Sequence, residues 1–212
     1  MDGELIFSIL FLILALVGRG IRGYYSLKGQ TPGKKRSVRE RWKEATRVEG
    51  TARVILLMVN GVFLLIAIVL YLLSPQWMLW SQFPIHDWAR WIGVGLGVLS
   101  LPFQIWVHRT LAKHWSSFLK LQEGHSLVTT GPYRWVRHPM YTQSLMFFIA
   151  LTLVSANLLI LIGFLIAFIF TFTRIPKEEQ MLLERFGDEY RLYMKRTGRL
   201  LPRLRRQEDK AV

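Results

Sequence analysis

Long uncharged apolar stretches alternate with polar and basic ones along the whole chain. Leu5–Val17, Val54–Leu73, Trp91–Val107 and Leu145–Phe172 contain no charged residue. A helix that crosses a bilayer needs about 20 predominantly apolar residues. Val54–Leu73 meets that length, with Asn60 and Gly61 as its soft spots. Leu5–Val17 is shorter, so the pattern predicts a first span extended to about Ile21, with Arg19 reaching to the headgroups. Asp2 and Glu4 precede it where a secretory leader carries lysine or arginine, which argues against a signal peptide. A third span is predicted from near Asp87, kinked at Pro102 and leaving the bilayer at His108, Arg109, Lys113 and His114. Leu145–Phe172 is too long for one crossing and holds Ser155-Ala156-Asn157 at its middle. That predicts a tight hairpin of Met140–Ser155 and Leu158–Thr173, each arm short enough to call for tilt or local thinning. The predicted fold class is all-α: a polytopic integral membrane helical bundle of about five transmembrane helices, with a C-terminal helical hairpin and an amphipathic cytoplasmic tail.

The polar segments carry their own periodicity. Arg22–Arg53 is a basic connector that includes Lys34-Lys35-Arg36. Ser37-Val38-Arg39-Glu40 has the spacing of a helix N-terminal capping box. Val38, Trp42, Ala45, Val48 and Ala52 then fall near one face, which predicts a helix lying on the membrane surface. A solvated connector is the plainer alternative. Ser74-Pro75 breaks the second span, and Trp77, Trp80 and Phe83 suit an interfacial belt. Gly93 and Gly97 form a Gly-x-x-x-Gly pair that predicts close helix packing within the chain. Beyond Arg174, Met181, Leu182, Phe186, Tyr190 and Tyr193 recur at helical spacing, with Gly187-Asp188 predicted to end one short helix and cap the next. Arg205–Val212 is expected to fray.

Charge adds a topology. The 212-residue chain has a net charge of +14 and no cysteine, which excludes disulfides, thiolate metal sites and cysteine nucleophiles. Its lysines and arginines avoid the N-terminus, the Ser74–Asp87 loop and the hairpin tip. They load the first connector, the C-terminal tail and the Arg109–Arg137 segment, which has five. The positive-inside rule then predicts an N-terminus outside, with the C-terminus and the Arg109–Arg137 segment cytoplasmic. The same rule accounts for the basic charge, so no nucleic-acid partner is expected.

The chemistry concentrates in Thr129–Tyr141, where turn formers, arginines, a histidine and aromatic residues precede the hairpin. Pro139 pushes His138 away from helical backbone. An antiparallel hairpin returns Arg174, Glu178 and Glu179 to the level of Arg137, His138 and Tyr141, and the four-residue spacing puts Arg174 and Glu178 on one helical face. A cationic and anionic cluster ringed by Tyr133, Trp135 and Tyr141 suits a small zwitterion with a positive centre. The same residue types also serve simply as interfacial anchors and as acid at a helix N-terminus.

His125-Ser-Leu-Val-Thr-Thr-Gly-Pro-Tyr133, Arg137-His-Pro-Met-Tyr141, the hairpin, Arg174-Ile-Pro-Lys-Glu178-Glu179 and Phe186-Gly-Asp-Glu-Tyr190, in that order and spacing, resemble the isoprenylcysteine carboxyl methyltransferase family and the related phospholipid methyltransferases. The resemblance covers the C-terminal half, from His114 to Pro202. It implies an integral membrane enzyme that uses S-adenosyl-L-methionine without a Rossmann-type domain, and the chain carries no Gly-x-Gly-x-x-Gly signal between a strand and a helix. By motif position it implies a cofactor site of His125, Ser126, Leu127, Val128, Tyr133, His138, Pro139, Met140, Tyr141 and Glu178. Arg174 is implied to face the substrate, and Arg137, Arg174 and Glu178 are the candidate catalytic residues. No metal is implied; the implied acceptor is lipid-like or prenylated, presenting a carboxylate or an amine. Gln143 stands where the family commonly has glycine, which leaves acceptor identity open. The organisation expected is residues 1–110 as N-terminal spans with the basic connector, 111–204 as the cofactor-binding region and 205–212 as a flexible tail. An NADPH-dependent sterol or steroid reductase has a similar Arg-His-Pro-x-Tyr segment and hairpin, though it tends to have more spans. A non-catalytic membrane scaffold is the third possibility.

Overall fold

The computed structural model describes residues 2–28, 37–73, 75–111 and 127–203. The predictions for Lys34-Lys35-Arg36, Ser74, Lys113, His114, His125, Ser126 and the 205–212 tail lie outside the described residues. The chain folds as α1 (Asp2–Lys28), α2 (Val38–Glu49), α3 (Thr51–Leu73), α4 (Asp87–Leu111), α5 (Pro139–Ser155), α6 (Leu158–Phe172) and α7 (Ile175–Arg196), with short 3-10 turns at Pro75–Ser81 and Gly131–Arg134. By length and composition α1, α3, α4 and the α6–α7 run can each cross a membrane, while α5 is shorter.

α1 outlasts its apolar stretch. Its 27 residues extend about 40 Å at 1.5 Å per residue, against a hydrocarbon core of about 30 Å. The extra turns carry Arg19, Arg22, Tyr24 and Tyr25, with Lys28 over the Tyr24 ring and Tyr25 accepting from Arg109. α2 begins with the predicted capping box: Glu40 N donates to Ser37 Oγ and Ser37 N to Glu40 Oε2. It stops at Gly50, whose φ of 88° suits glycine. Ala52 therefore belongs to α3 rather than to the predicted surface face.

Glycines decide where helices approach. A Cβ on Gly93 would meet α5 at Leu153 Cβ and at the Ala150 carbonyl, and one on Gly97 would meet Leu14 of α1. The Gly-x-x-x-Gly pair thus packs within the chain, against two different neighbours. Pro102 sits inside α4, which stays helical on both sides of it. Phe7, Phe11, Tyr71, Met78, Val154 and Ile160 form much of the buried core where α1, α3, α5 and α6 meet. Leucine, isoleucine and valine side chains of α1 and α3 remain exposed, as a lipid-facing surface requires.

The hairpin forms with the predicted boundaries at its tip. Ala156 takes a left-handed conformation (φ 47°), and Asn157 Oδ1 accepts from Leu159 N and Ile160 N at the start of α6. At this end Arg90 of α4 is buried, bonded to Glu4 and to the Val154 carbonyl, with its guanidinium 3.9 Å from the Phe7 ring centroid. α7 leaves helical backbone at Gly187 (φ 51°, ψ −121°), at the predicted stop, and the helix resumes immediately.

Candidate functional site

At the open end of the hairpin the chain enters α5 through the Gly131–Arg134 turn. Gly131 takes a positive φ of 56°, a conformation that costs glycine little. Pro139 starts α5, and a proline at the first helical position gives up no needed N–H. His138, at its N-cap, lies outside the helical region as predicted. From the other arm, Arg174 precedes α7 and Glu178 and Glu179 occupy its first turns.

The predicted juxtaposition is present. Tyr141 donates its hydroxyl to Glu178 Oε1 at 2.5 Å. His138 is buried and stacks on Tyr141 with ring centroids 5.5 Å apart. Its Nδ1 lies 3.6 Å from Glu178 Oε2 and its Nε2 3.3 Å from Glu179 Oε1. Arg137 Nε donates to Glu179 Oε1 at 2.9 Å. Arg174 Nε lies 3.4 Å from Glu178 Oε1, so the four-residue spacing does place them on one face.

The two glutamates differ. Glu179 is buried, and burial by itself raises a carboxyl pKa. Hydrogen bonds from His138, Arg199 and Arg137 outweigh that and bring it down to about 2. Glu178 keeps about a fifth of its side chain exposed, between Tyr141, His138 and Arg174. Glu179 is thus a buried anchor and Glu178 the carboxylate accessible at the rim.

Arg137 is extensively bonded. Besides Glu179 it donates to the Thr197 carbonyl at 2.5 Å and the Met194 carbonyl at 3.2 Å. It ties the end of α7 to the segment before α5. Tyr133 is buried; burial pushes its hydroxyl up, and its carbonyl accepts from Tyr193 at 2.7 Å. Pro139 is fully buried, Met140, Leu127 and Val128 are half-buried, and Gln143 is buried on α5.

Two participants were not singled out from the sequence. Arg199 donates to Glu179 Oε2 at 2.7 Å, brought there by backbone pairing of residues 198–199 with 135–138. Glu49, the last residue of α2, places Oε1 2.9 Å from Arg174 Nε. No motif spacing points to either. The nearest signal for Glu49 was the amphipathic helix that ends on it.

Comparison with known proteins locates the same region. The sequence model of the isoprenylcysteine carboxyl methyltransferase family matches residues 93–184. The protein-S-isoprenylcysteine O-methyltransferase of Xenopus laevis is 37% identical over 81 residues, 38% of this chain and 28% of that protein. The methanethiol S-methyltransferase of Pseudomonas deceptionensis is 32% identical over 149 residues, 63% of this chain and 56% of that protein. The chain therefore spans less than two thirds of these relatives. Among solved structures, that of the eukaryotic intramembrane Ras methyltransferase ICMT shares the fold, with a TM-score of 0.51 at 23% identity over 76% of this chain and 56% of that one. Motif order, helical membrane architecture and these matches agree: residues 93–184 are similar to the isoprenylcysteine carboxyl methyltransferase family, and the fold is the one seen in that solved structure.

Proposed function

We propose that the protein transfers a methyl group from S-adenosyl-L-methionine to an amphiphilic, lipid-like acceptor at the membrane interface. The observation that carries this reading is the closure of His138 and Tyr141 onto Glu178 at the foot of the hairpin, inside the region matched to the family. The donor set fits the cofactor. A sulfonium with an α-amine needs negative charge and aromatic surface, and a partly open carboxylate beside stacked Tyr141 and His138 offers both. Leu127, Val128, Tyr133, His138, Pro139, Met140, Tyr141 and Glu178 would hold it, with His125 and Ser126 contributing from outside the described residues. When bound, the cofactor supplies an activated methyl group with a good leaving group already in place.

The chain's own contribution is positioning and exclusion of water. Arg137 holds Glu179 and the end of α7, which fixes the first turns of that helix and hence Glu178. Arg174 lies on the acceptor side. The names of the relatives put a prenylated cysteine and a small thiol among the acceptors to be tried, beside the carboxylate and amine classes expected from the residues.

The test is calorimetric titration of the detergent-purified protein with S-adenosylhomocysteine, and with NADPH in parallel. Micromolar binding of the homocysteine product is expected, weakened at least about tenfold (1.4 kcal/mol) in Glu178→Ala. Folded protein that binds NADPH alone, or neither compound, defeats the proposal.

A further inference from the structure

α1 presents one stripe of residues to the rest of the bundle. Phe7, Phe11, Leu14 and Gly18 follow one another at three- and four-residue steps, and all four are buried. Gly18 lies against two neighbours. A Cβ there would meet the Phe147 ring of α5, and its carbonyl accepts from Gln104 Nε2 of α4 at 3.2 Å. Two further steps bring Arg22 and Tyr25 onto the same stripe. Tyr25 packs on His108 of α4 with ring centroids 5.2 Å apart, and its hydroxyl accepts from Arg109. Arg22, between Gly18 and Tyr25, therefore faces α4 and α5 rather than lipid.

Protein surrounds Arg22 on most sides, yet the residue is exposed. That combination marks an open recess between α1, α4 and α5. The Arg22 charge reaches Tyr141 on α5 and His108 on α4. Among the described residues no hydrogen bond or ion pair reaches its guanidinium. A second polar group is unmet one helical turn deeper on α4. Gln104 is buried, and its Oε1 has no partner among the described residues. The cations at the foot of the hairpin are already matched. Glu179 takes Arg137 and Arg199, while Glu178 and Glu49 are balanced by Arg174 and Arg53. Arg22 is a further positive charge, and an enclosed charge without a partner is costly. The recess thus suits a ligand that brings its own anionic group.

Tyr141 joins this recess to the proposed cofactor site, because its ring stacks on His138 and its hydroxyl donates to Glu178. The methyl donor carries a sulfonium, an ammonium and an α-carboxylate. Glu178 and the aromatic rings suit the two cationic groups. The carboxylate needs a cation that is not already paired. We propose that Arg22 binds the α-carboxylate of S-adenosyl-L-methionine, so that α1, which lies outside the matched residues 93–184, completes the cofactor site. This rests on the methyl-transfer reading above. A guanidinium can meet a carboxylate through two parallel N–H bonds, which orients the methionine end of the cofactor as well as holding it.

The experiment is calorimetric titration of the full chain in detergent with two probes. One is S-adenosylhomocysteine; the other is S-adenosyl-3-thiopropylamine, the same molecule without its carboxylate. Wild-type protein is expected to bind the first at least about tenfold more tightly than the second. Arg22→Gln is expected to weaken S-adenosylhomocysteine at least about tenfold and to leave the decarboxylated probe unchanged, so that the two bind alike. Arg22→Lys keeps the charge without the fork and is expected to fall between wild type and Arg22→Gln. The decarboxylated probe also reports whether the variant is folded. Wild-type affinity of Arg22→Gln for S-adenosylhomocysteine overturns the proposal and assigns Arg22 to lipid headgroups. An equal loss on both probes overturns it in favour of a structural role. Failure of the wild type to bind S-adenosylhomocysteine instead removes the methyl-transfer reading.

Discussion

Glu179 shows how a buried charge is kept. Its carboxylate receives Arg137, Arg199 and His138, and those bonds hold its pKa near 2 against the effect of burial. A carboxyl depressed on folding contributes stability above its unfolded value, about 4.5, and loses that contribution as pH falls toward 2. Glu179→Gln is therefore expected to melt well below the wild type at pH 7, with the gap closing as pH falls through 4.5 toward 2. Thermal unfolding of both proteins in one detergent across that range checks it, and a gap independent of pH would assign the effect to packing. Glu178, a neighbour in sequence, meets solvent instead. The division of labour between them follows from which side of α7 each occupies.

Among elements, the hairpin depends on one side chain at its tip. Asn157 is fully buried, caps α6 through Leu159 N and Ile160 N, and donates to Ser81 Oγ at 2.8 Å. Asn157→Ala removes the cap and leaves Ser81 without that donor, at a cost of about 1–3 kcal/mol. A lowered melting temperature with little change in cofactor-product affinity is the expected result, because the tip lies at the opposite end of α5 and α6 from Glu178. Arg90 reinforces the same end by joining α1, α4 and the Val154 carbonyl. Gly93 lets α4 come against α5 at a distance that a larger side chain forbids.

At the scale of the whole molecule, the charged ends of the helices define two sides. The site, α2 and α7 lie at the end of the bundle where lysine and arginine accumulate, and the Arg90–Glu4 pair lies at the other. From the positive-inside rule we propose a cytoplasmic site and an external N-terminus. Reporter fusions are expected to read a cytoplasmic C-terminus and an external Ser74–Asp87 loop; the reverse pattern would invert the orientation. α2 brings the N-terminal half into the site through Glu49, although the family match begins only at residue 93. Residues 1–110 and 111–204, read separately along the chain, therefore meet at Arg174.

Local chemistry made much of this protein legible in advance. Uncharged runs of membrane length marked the spans, Ser37 and Glu40 marked the start of α2, and Ser155-Ala156-Asn157 marked the turn of the hairpin. The pairing of Arg174 with Glu178 followed from helical periodicity, and the meeting of His138 and Tyr141 with Glu178 from an antiparallel return. These signals are readable because each depends on neighbours a few residues apart or on a single reversal of direction. The second carboxylate on Arg174, the docking of residues 198–199 beside 135–138, and the burial that separates Glu179 from Glu178 required the folded chain. Each is a contact between segments remote in sequence, set by how helices pack and where loops close, and neither residue spacing nor composition encodes that distance.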